Sequence, residues 1–323
     1  MNLIRPSYEI IEQGPGIQGV YDIIEIAGKT SYKSKIEGGE TAKKFVKMRA
    51  KEGHYAVLEF GTVYLHYEWA TWTDPASVEA NEETQEALNF YRSNKYSKVV
   101  CLSGTTHSDF YITTNYRVIV ENHRESDLVY MSHTPSEHHE KRYCVRFILD
   151  RFTGEEFLRH RVFSFCREST RYCNYSKSKF NNSITFVIPP WIPETELAEG
   201  NNVAWWDGDW VNMEDMSVIK YGDENSLTDK WLHALDGAER CYMLLTQKEK
   251  NPWVAQQART ILPCAIKSPL VMCGFADDWK HFFDLRALGT TGAPHPQAKE
   301  LAEPLMKEFI ERDYLKYENR KEI

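Results

Sequence analysis

The segment from Arg159 to Ser176, RHRVFSFCRESTRYCNYS, concentrates side chains that can bind anions and flat rings. Its eighteen residues include four arginines, one histidine, three serines, one threonine and two tyrosines. Arginine forks and hydroxyl groups suit phosphate oxygens, and aromatic faces suit flat heterocycles. The whole chain has a formal net charge of -8, so this positive charge is local. The segment therefore predicts a pocket for a small anionic ligand.

A structural role for these arginines is the alternative. On a solvated charged face, acids would alternate with the arginines at helical spacing, but Glu168 is the only acid between positions 159 and 171. Val162, Phe163 and Phe165 indicate partial burial, and buried arginines need anionic partners. Ligand binding is the favoured interpretation.

The composition is that of a globular protein with a large core. The chain has 323 residues, of which 42% are hydrophobic and 27% charged. No apolar run approaches the ~20 residues of a membrane-spanning helix, and the first residues, MNLIRPSYEIIEQG, lack the apolar core of a signal peptide. We therefore expect a cytoplasmic protein that does not bind membranes. A sequence pI of about 5.8 disfavours nucleic acid as a partner.

Few residues have the spacing of a metal or redox site. The seven cysteines include no C-x-x-C pair and are expected to be reduced. His138 and His139 lie beside Glu137 and Glu140 and invite a metal interpretation. Adjacent histidines on a polar loop are more typical of a solvated surface, so we predict no metal site.

Periodicity and capping residues predict both strands and helices. The apolar stretch VYDIIEIAG predicts a strand that ends at Gly28. Thr153 and Glu156 have capping-box spacing, so a helix is expected to start there and to carry Arg159 to Arg161 in its last turn. Residues 193–222 are expected to form an exposed loop. Further strands are expected over 110–122, 141–152 and 185–191, and further helices over 38–53, 81–94, 226–248, 251–263, 277–288 and 297–317. This order favours an α+β fold over alternating βαβ units.

Short blocks across the chain are similar to those of the flavin-dependent thymidylate synthases, the ThyX family. Arg159-His160-Arg161, followed after seven residues by Ser169, resembles the family signature RHR-x7-S, and the whole segment looks like that of long bacterial and phage-type members. The other similar blocks, in family order, are AGKTSYKS (27–34), HYAVLEF with His54, Ala56 and Glu59, RTILP with Arg259, WKHFFDLR (279–286) and His295-Pro296-Gln297.

The resemblance implies a fold and an activity. It implies one catalytic domain over 1–323 with a mixed, largely antiparallel sheet flanked by helices, insertions at about 61–140 and 174–230, and a C-terminal helix at about 297–317. It implies an enzyme that methylates dUMP to dTMP with 5,10-methylenetetrahydrofolate as one-carbon donor, FAD as cofactor, NADPH as reductant and no cysteine nucleophile. It also implies a homotetramer with active sites shared between subunits.

The same resemblance assigns roles to individual residues. Arg286 is expected to be catalytic, placed against the pyrimidine, where its guanidinium would stabilise negative charge on the uracil. A salt bridge to Asp284 or Glu300 is its alternative role. The expected dUMP-binding residues are Glu156, Arg159, Glu168, Ser169, Thr170, Arg171, Arg259 and Arg286. The expected FAD-binding residues are His54, Ala56, Arg159, His160, Arg161, Arg167, His281 and His295. Those expected near the folate are His54 and Tyr172.

Several positions depart from the family pattern. They are Ala56, Glu156, Cys166, Arg167, Phe275 and Asp277. Ala56 replaces a Ser or Thr that contacts flavin, so the flavin contacts are expected to differ most. Glu156 stands where many members have Gln, and a carboxylate there needs a cation, for which Arg159 is the expected partner.

Two other functions stay open at this point. A thymidylate synthase with a cysteine nucleophile would use Cys264, which follows Pro263, but no surrounding motif supports it. A non-catalytic protein could use the same arginines and aromatic rings to bind a nucleotide or nucleic acid.

Overall fold

The computed structural model describes residues 1–70, 75–104 and 107–316. Its strands are β1 (Asn2–Ile4), β2 (Ser7–Ile11), β3 (Thr62–Ala70), β4 (Lys98–Ser103), β5 (His107–Asn115), β6 (Arg142–Ile148), β7 (Ser164–Arg167), β8 (Thr185–Val187), β9 (Val203–Trp206), β10 (Asp209–Asn212), β11 (Val218–Lys220) and β12 (Leu270–Phe275). Its α-helices are α1 (Gly16–Thr30), α2 (Gly39–Lys51), α3 (Pro75–Ser93), α4 (Tyr116–Glu121), α5 (Arg151–Phe157), α6 (Leu227–Gln247), α7 (Ala255–Ala258), α8 (Ala276–Arg286) and α9 (Pro296–Glu311). Position 317 of the expected C-terminal helix, and positions 71–74 and 105–106 of the expected first insertion, lie outside the described residues. Across the described ranges, no helix combines the length and apolarity needed to cross a membrane.

A four-stranded antiparallel sheet in the order β2-β6-β12-β7 lies at the centre of the fold. Successive side chains of a strand point to opposite faces. Accordingly, Val271 and Cys273 of β12 belong to one hydrophobic core, which α1 also lines. Leu270 and Met272 belong to a second core, which α8 and α9 line. The sheet therefore fixes β7 and α8 relative to each other.

The remaining strands form smaller sheets. Those in the orders β3-β5-β4 and β11-β10-β9 are antiparallel, and β1 pairs with β8 in parallel. Strands of both senses, mostly antiparallel and covered by helices, confirm the predicted α+β class.

The predicted strand at VYDIIEIAG is wrong, because these residues lie in α1. Val20, Ile23, Ile24 and Ala27 are all buried. Their spacing places them on one face of a helix, and that face packs on the first core. Tertiary burial here outweighs the preference of isoleucine and valine for strands.

The turn between β2 and α1, GPGIQG (residues 14–19), has the G-x-G-x-x-G spacing of dinucleotide-binding turns. Its surroundings differ from that motif, since β2 pairs antiparallel with β6 and the Gly16 N–H donates to the carbonyl of His133 at 2.7 Å. A Cβ on Gly19 would lie 1.7 Å from the Gly14 oxygen. Glycine is therefore needed at position 19 because the backbone of Gly14 passes too close to leave room for a side chain.

Helix α5 begins and ends earlier than predicted. Its N-cap is Asp150, whose carboxylate accepts from the Thr153 N–H at 3.0 Å. The helix ends at Phe157, so Arg159, His160 and Arg161 lie beyond it in a turn that leads to β7. The turn frees these side chains from the helix surface.

The expected loop at 193–222 is also wrong, because it contains β9, β10 and β11. Trp210 is fully buried, and its indole N–H donates to Asp229 Oδ1 at 3.1 Å. Asp207 and Gly208, both with positive φ, turn the chain between β9 and β10. The Asp, Gly and Asn residues that favoured a loop thus supply hairpin turns.

Three further expectations need correction. The strand expected over 110–122 ends at Asn115, which caps α4 by accepting from the Val118 N–H. The helix expected over 251–263 is reduced to α7 and a following 3-10 turn. Cys144 and Cys273, directly opposite each other on β6 and β12, form a disulfide, so the expectation of reduced cysteines fails for this pair.

Candidate functional site

A cavity of about 760 Å³ is lined by five of the eight expected FAD-binding residues. It lies between the turn after α5, the last turn of α8 and the loop before α9. Its lining includes Arg159, His160, Arg161, His281, Arg286 and His295. We call it the Arg286 cavity.

Arg286, the last residue of α8, is held by three hydrogen bonds. Its Nη1 donates to Glu156 Oε2 at 2.9 Å and its Nη2 donates to the Glu156 carbonyl at 3.0 Å. Its Nε donates to His160 Nε2 at 3.1 Å. The side chain is 18% exposed, so these contacts fix the guanidinium in one orientation while leaving part of it accessible.

The partner of Glu156 is therefore Arg286, whereas Arg159 was expected from the sequence. Asp284 and Glu300, the alternative partners for Arg286, do not form this ion pair. A guanidinium has five N–H donors, and three are used here. One N–H on each Nη atom is left for a ligand.

His160 is neutral in this arrangement. Burial, followed by the nearby Arg286 charge, lowers the pKa of His160 to about 4 from its ordinary value of 6.5. Its Nε2 accepts from Arg286, so the ring proton belongs on Nδ1. A neutral ring avoids placing two cations in contact.

This lowered pKa predicts a stability change between pH 6.5 and 4. In that window the unfolded chain protonates His160 and the folded chain does not, so the free energy of unfolding falls as pH falls. A shift from 6.5 to about 4 corresponds to at most about 3 kcal/mol. Urea unfolding at pH 7.5 and pH 5 should show a smaller difference for His160→Gln than for the wild type. His295→Gln, in the exposed wall of the same cavity, is the control, and equal pH dependence in all three proteins would contradict this account.

Arg159 and Arg161 are exposed at the mouth of the cavity. In the part of the chain that the structure describes, neither guanidinium forms an ion pair with a carboxylate. The neighbouring Val162 is 62% exposed. Two exposed cations beside an exposed apolar side chain suit a ligand or a partner surface.

A second cavity, of about 400 Å³, is lined by two of the three other expected FAD-binding residues, His54 and Ala56. We call it the His54 cavity. Arg49 Nη1 lies 3.1 Å from His54 Nδ1. Cys166, one of the departures from the family pattern, lines the same cavity with its Sγ 3.0 Å from Ser31 Oγ. Burial raises the pKa of the Cys166 thiol, so it is protonated at neutral pH.

The segment from Ser169 to Tyr172 lies beside the His54 cavity. The Ser169 N–H donates to the Ser31 carbonyl at 2.9 Å. The rings of Tyr172 and Tyr32 are 5.2 Å apart, and Tyr32 lines the cavity. The Arg171 guanidinium lies over the Tyr172 ring at 5.4 Å.

Arg259 joins this second group of residues. Its Nη1 donates to Thr170 Oγ1 at 3.4 Å. Within one chain the expected site residues are therefore divided between two places, because the segment around Ser169 does not line the Arg286 cavity.

Two expected ligand-binding residues point elsewhere. The Glu168 carboxylate is buried and accepts from the Tyr175 hydroxyl at 2.9 Å. Burial raises its pKa. The Arg167 guanidinium binds its own chain, donating to Glu155 Oε1 and to the Arg151 carbonyl, both at 2.9 Å. Neither side chain lines the Arg286 or the His54 cavity.

Sequence reasoning missed several residues that line these cavities. Arg49 lies in the last turn of α2, five positions before His54, and only the fold brings it to the ring. Ser31 and Tyr32 belong to the block AGKTSYKS, but no role was assigned to either. The loop from Thr291 to Pro294 also lines the Arg286 cavity. Its glycine and proline residues are typical of a loop but gave no indication that the loop would line a ligand cavity.

Comparisons with known proteins bear on this arrangement. A family model described as thymidylate synthase complementing protein matches residues 117–313, more than half of the chain. The matched range includes the whole Arg286 cavity, whereas His54 and Ala56 lie outside it. No curated protein matches the chain by sequence.

Two solved structures are similar to the chain, both of the UMP/dUMP methylase PolB from Streptomyces cacaoi. The structure bound with 5-Br dUMP has 13% identity and a TM-score of 0.40, and covers 96% of this chain and 93% of its own. The structure bound with 5-Br UMP has 13% identity and a TM-score of 0.39, and covers 96% of this chain and 92% of its own.

Proposed function

The chain belongs to the thymidylate synthase complementing protein family, and from that premise we propose that it is a flavin-dependent thymidylate synthase that methylates dUMP to dTMP. The one-carbon donor is 5,10-methylenetetrahydrofolate, the cofactor is FAD and the reductant is NADPH. The observation that carries this proposal is Arg286, fixed by Glu156 and His160 with two N–H groups free to face a ligand.

The fixed guanidinium accounts for activation of the uracil. Negative charge must develop on the pyrimidine before C5 can attack a one-carbon unit. A cation already held in place stabilises that charge without having to reorganise, an effect that contributes about 3–4 kcal/mol in comparable sites. Arg286 is the proposed catalytic residue, while Glu156 and His160 are positioning residues that hold it.

The Arg286 cavity fits an anionic cofactor. Arg159 and Arg161 have no carboxylate partner among the described residues, and a diphosphate would provide one. His281 and His295 add ring faces and donors to the lining of the same cavity. We assign these four residues and His160 to FAD, which, when bound, would supply the hydride for the methyl group.

The folate and the nucleotide phosphate need the second group of residues. His54 and Tyr172 would contact the folate, and Ser169, Thr170, Arg171 and Arg259 would hold dUMP. Because one chain divides these residues from Arg286, the complete site requires a second subunit, in line with the proposed homotetramer. Phe152 is 64% exposed and, together with Val162, offers apolar surface for such contacts. A monomeric mass in sedimentation at micromolar concentration would oppose this arrangement.

Glu168 and Arg167 are the weakest of the proposed ligand contacts. Both are engaged within their own chain, so binding by either would require these bonds to break. We retain them only as supports of β7, next to the residues that would bind dUMP.

A cysteine-dependent thymidylate synthase is the rival enzyme. Cys264 lines neither cavity, and its carbonyl accepts from the Arg151 N–H at 2.9 Å. We expect Cys264→Ala to keep nearly full dTMP formation, because no step uses its thiol. Cys241→Ala, at another free and partly buried cysteine, is the matched control. Loss of turnover in the first variant alone would favour the rival.

A further inference from the structure

We propose that the outer face of the β3–β5 ladder binds one divalent transition-metal ion through His66, Glu68 and Asp109. The site is independent of the proposed thymidylate synthase activity, since none of the three residues lines either cavity described above.

The sheet register brings the three side chains together. Glu68 pairs directly with Asp109, and His66 pairs with Tyr111 one step along the same face. His66 Nε2 lies 2.8 Å from Asp109 Oδ1. One potential ligand atom from each of the three residues lies within 4.8 Å of the others. Ligands around one small dication are about 3 Å apart, so a modest side-chain movement closes the set.

The charges on this face call for a cation. Like charges directly opposite each other on paired strands are destabilising, and Glu68 and Asp109 are such a pair. Among the described residues, no lysine or arginine forms an ion pair with either carboxylate. Asp109 instead contacts two histidines, with His107 Nε2 3.4 Å from its second oxygen.

His66 is prepared as a ligand. Its ring stacks on Tyr111 with centroids 4.7 Å apart and planes 4° apart, which limits its rotation. The His66 side chain is 31% exposed and that of Asp109 is 21% exposed, while Glu68 is exposed, so the position is open to an ion from solvent. One imidazole nitrogen with carboxylate oxygens is a ligand set for Zn²⁺, Co²⁺ or Mn²⁺.

The adjacent histidines that the sequence offered as metal ligands have different roles. His139 is buried, its Nε2 lies 3.1 Å from the Leu65 carbonyl and its Nδ1 lies 2.9 Å from Ser136 Oγ. Both of its ring nitrogens are therefore engaged. The His138 ring lies 5.0 Å from Tyr111, beside the proposed site, and so provides a control.

Titration of the full-length protein with Co²⁺ and Zn²⁺ tests the proposal. The wild type should bind one more equivalent of metal than Asp109→Asn or Glu68→Gln, or should bind that equivalent more than about 10-fold more tightly than either variant. Binding of Co²⁺ is followed by absorption and binding of Zn²⁺ by calorimetry. In EDTA, Glu68→Gln should melt above the wild type, because one of the opposed charges is removed. With Zn²⁺, the wild type should gain melting temperature, whereas Asp109→Asn and Glu68→Gln should not.

Two matched variants separate this site from other surface histidines. His123→Asn changes an exposed residue with positive φ. Both this variant and His138→Ala should still bind the additional equivalent of metal. Equal metal binding by the wild type and Asp109→Asn would overturn the proposal. Loss of binding on His138→Ala with retention in Asp109→Asn would overturn it as well.

Discussion

Replacing Arg286 by alanine is expected to lower dTMP formation by about 100- to 1,000-fold while the protein keeps its flavin. The guanidinium would face the uracil, whereas flavin retention would depend on the exposed Arg159 and Arg161, which line the same cavity. The measurement is dTMP produced per bound flavin under saturating substrates, so that a change in cofactor content does not enter the rate.

The contacts of Arg286 determine the controls. Alanine at this position leaves the Glu156 carboxylate without its cation and His160 without its donor. The double variant Arg286→Ala/Glu156→Gln removes that stranded charge and should be as slow as the single variant. Glu156→Gln alone keeps a hydrogen-bond acceptor for Arg286 and should lose much less activity. Near-normal turnover by Arg286→Ala would contradict the catalytic role.

Replacing Arg159 by alanine is expected to remove flavin from the purified protein and turnover with it. Arg159 is exposed at the mouth of the cavity without a carboxylate partner among the described residues, so a ligand phosphate is the partner that its charge lacks. Loss of one charged hydrogen bond costs about 1.5–3 kcal/mol, which weakens flavin binding by about 10- to 150-fold. The readout is the flavin absorbance near 450 nm relative to protein absorbance.

Arg151→Ala is the matched control for this prediction. Arg151 begins α5, the helix that precedes Arg159, but its guanidinium pairs with Glu155 at 3.3 Å, so its loss should leave the flavin band unchanged. A full band in Arg159→Ala would contradict the assignment. If the wild-type protein were colourless and could not be reconstituted with FAD, this result would contradict the proposed flavin-dependent activity. It would favour a non-catalytic nucleotide-binding protein.

The sequence predicted the site's residue types better than their partners. It assigned Arg286 to dUMP and His160 to FAD, and the structure brings both side chains into one cavity. It paired Glu156 with Arg159, however, because they are close in the sequence. The ion pair with Arg286 joins residues 130 positions apart, and it exists only because the fold brings the end of α8 beside α5. Spacing along a chain carries no information about such a contact.

The sequence likewise predicted some elements of the fold correctly and others wrongly. Alternating apolar residues gave β6, and β6 is central to the sheet. At α1, the β-branched residues Val20, Ile23 and Ile24 led to the wrong prediction of a strand, because burial on one helical face decides the conformation there. The hairpins within 193–222 were missed because their turn residues outweighed short strands such as β10. The His66–Asp109 pair was missed because strand register, which no spacing rule supplies, creates it.

The most direct test of the central claim is dTMP formation by the purified protein with FAD, dUMP, 5,10-methylenetetrahydrofolate and NADPH. The account predicts dTMP in step with NADPH oxidation, dependent on added or bound FAD and unaffected by Cys264→Ala. Flavin-bound protein that oxidises NADPH but forms no dTMP from dUMP and the folate would contradict it.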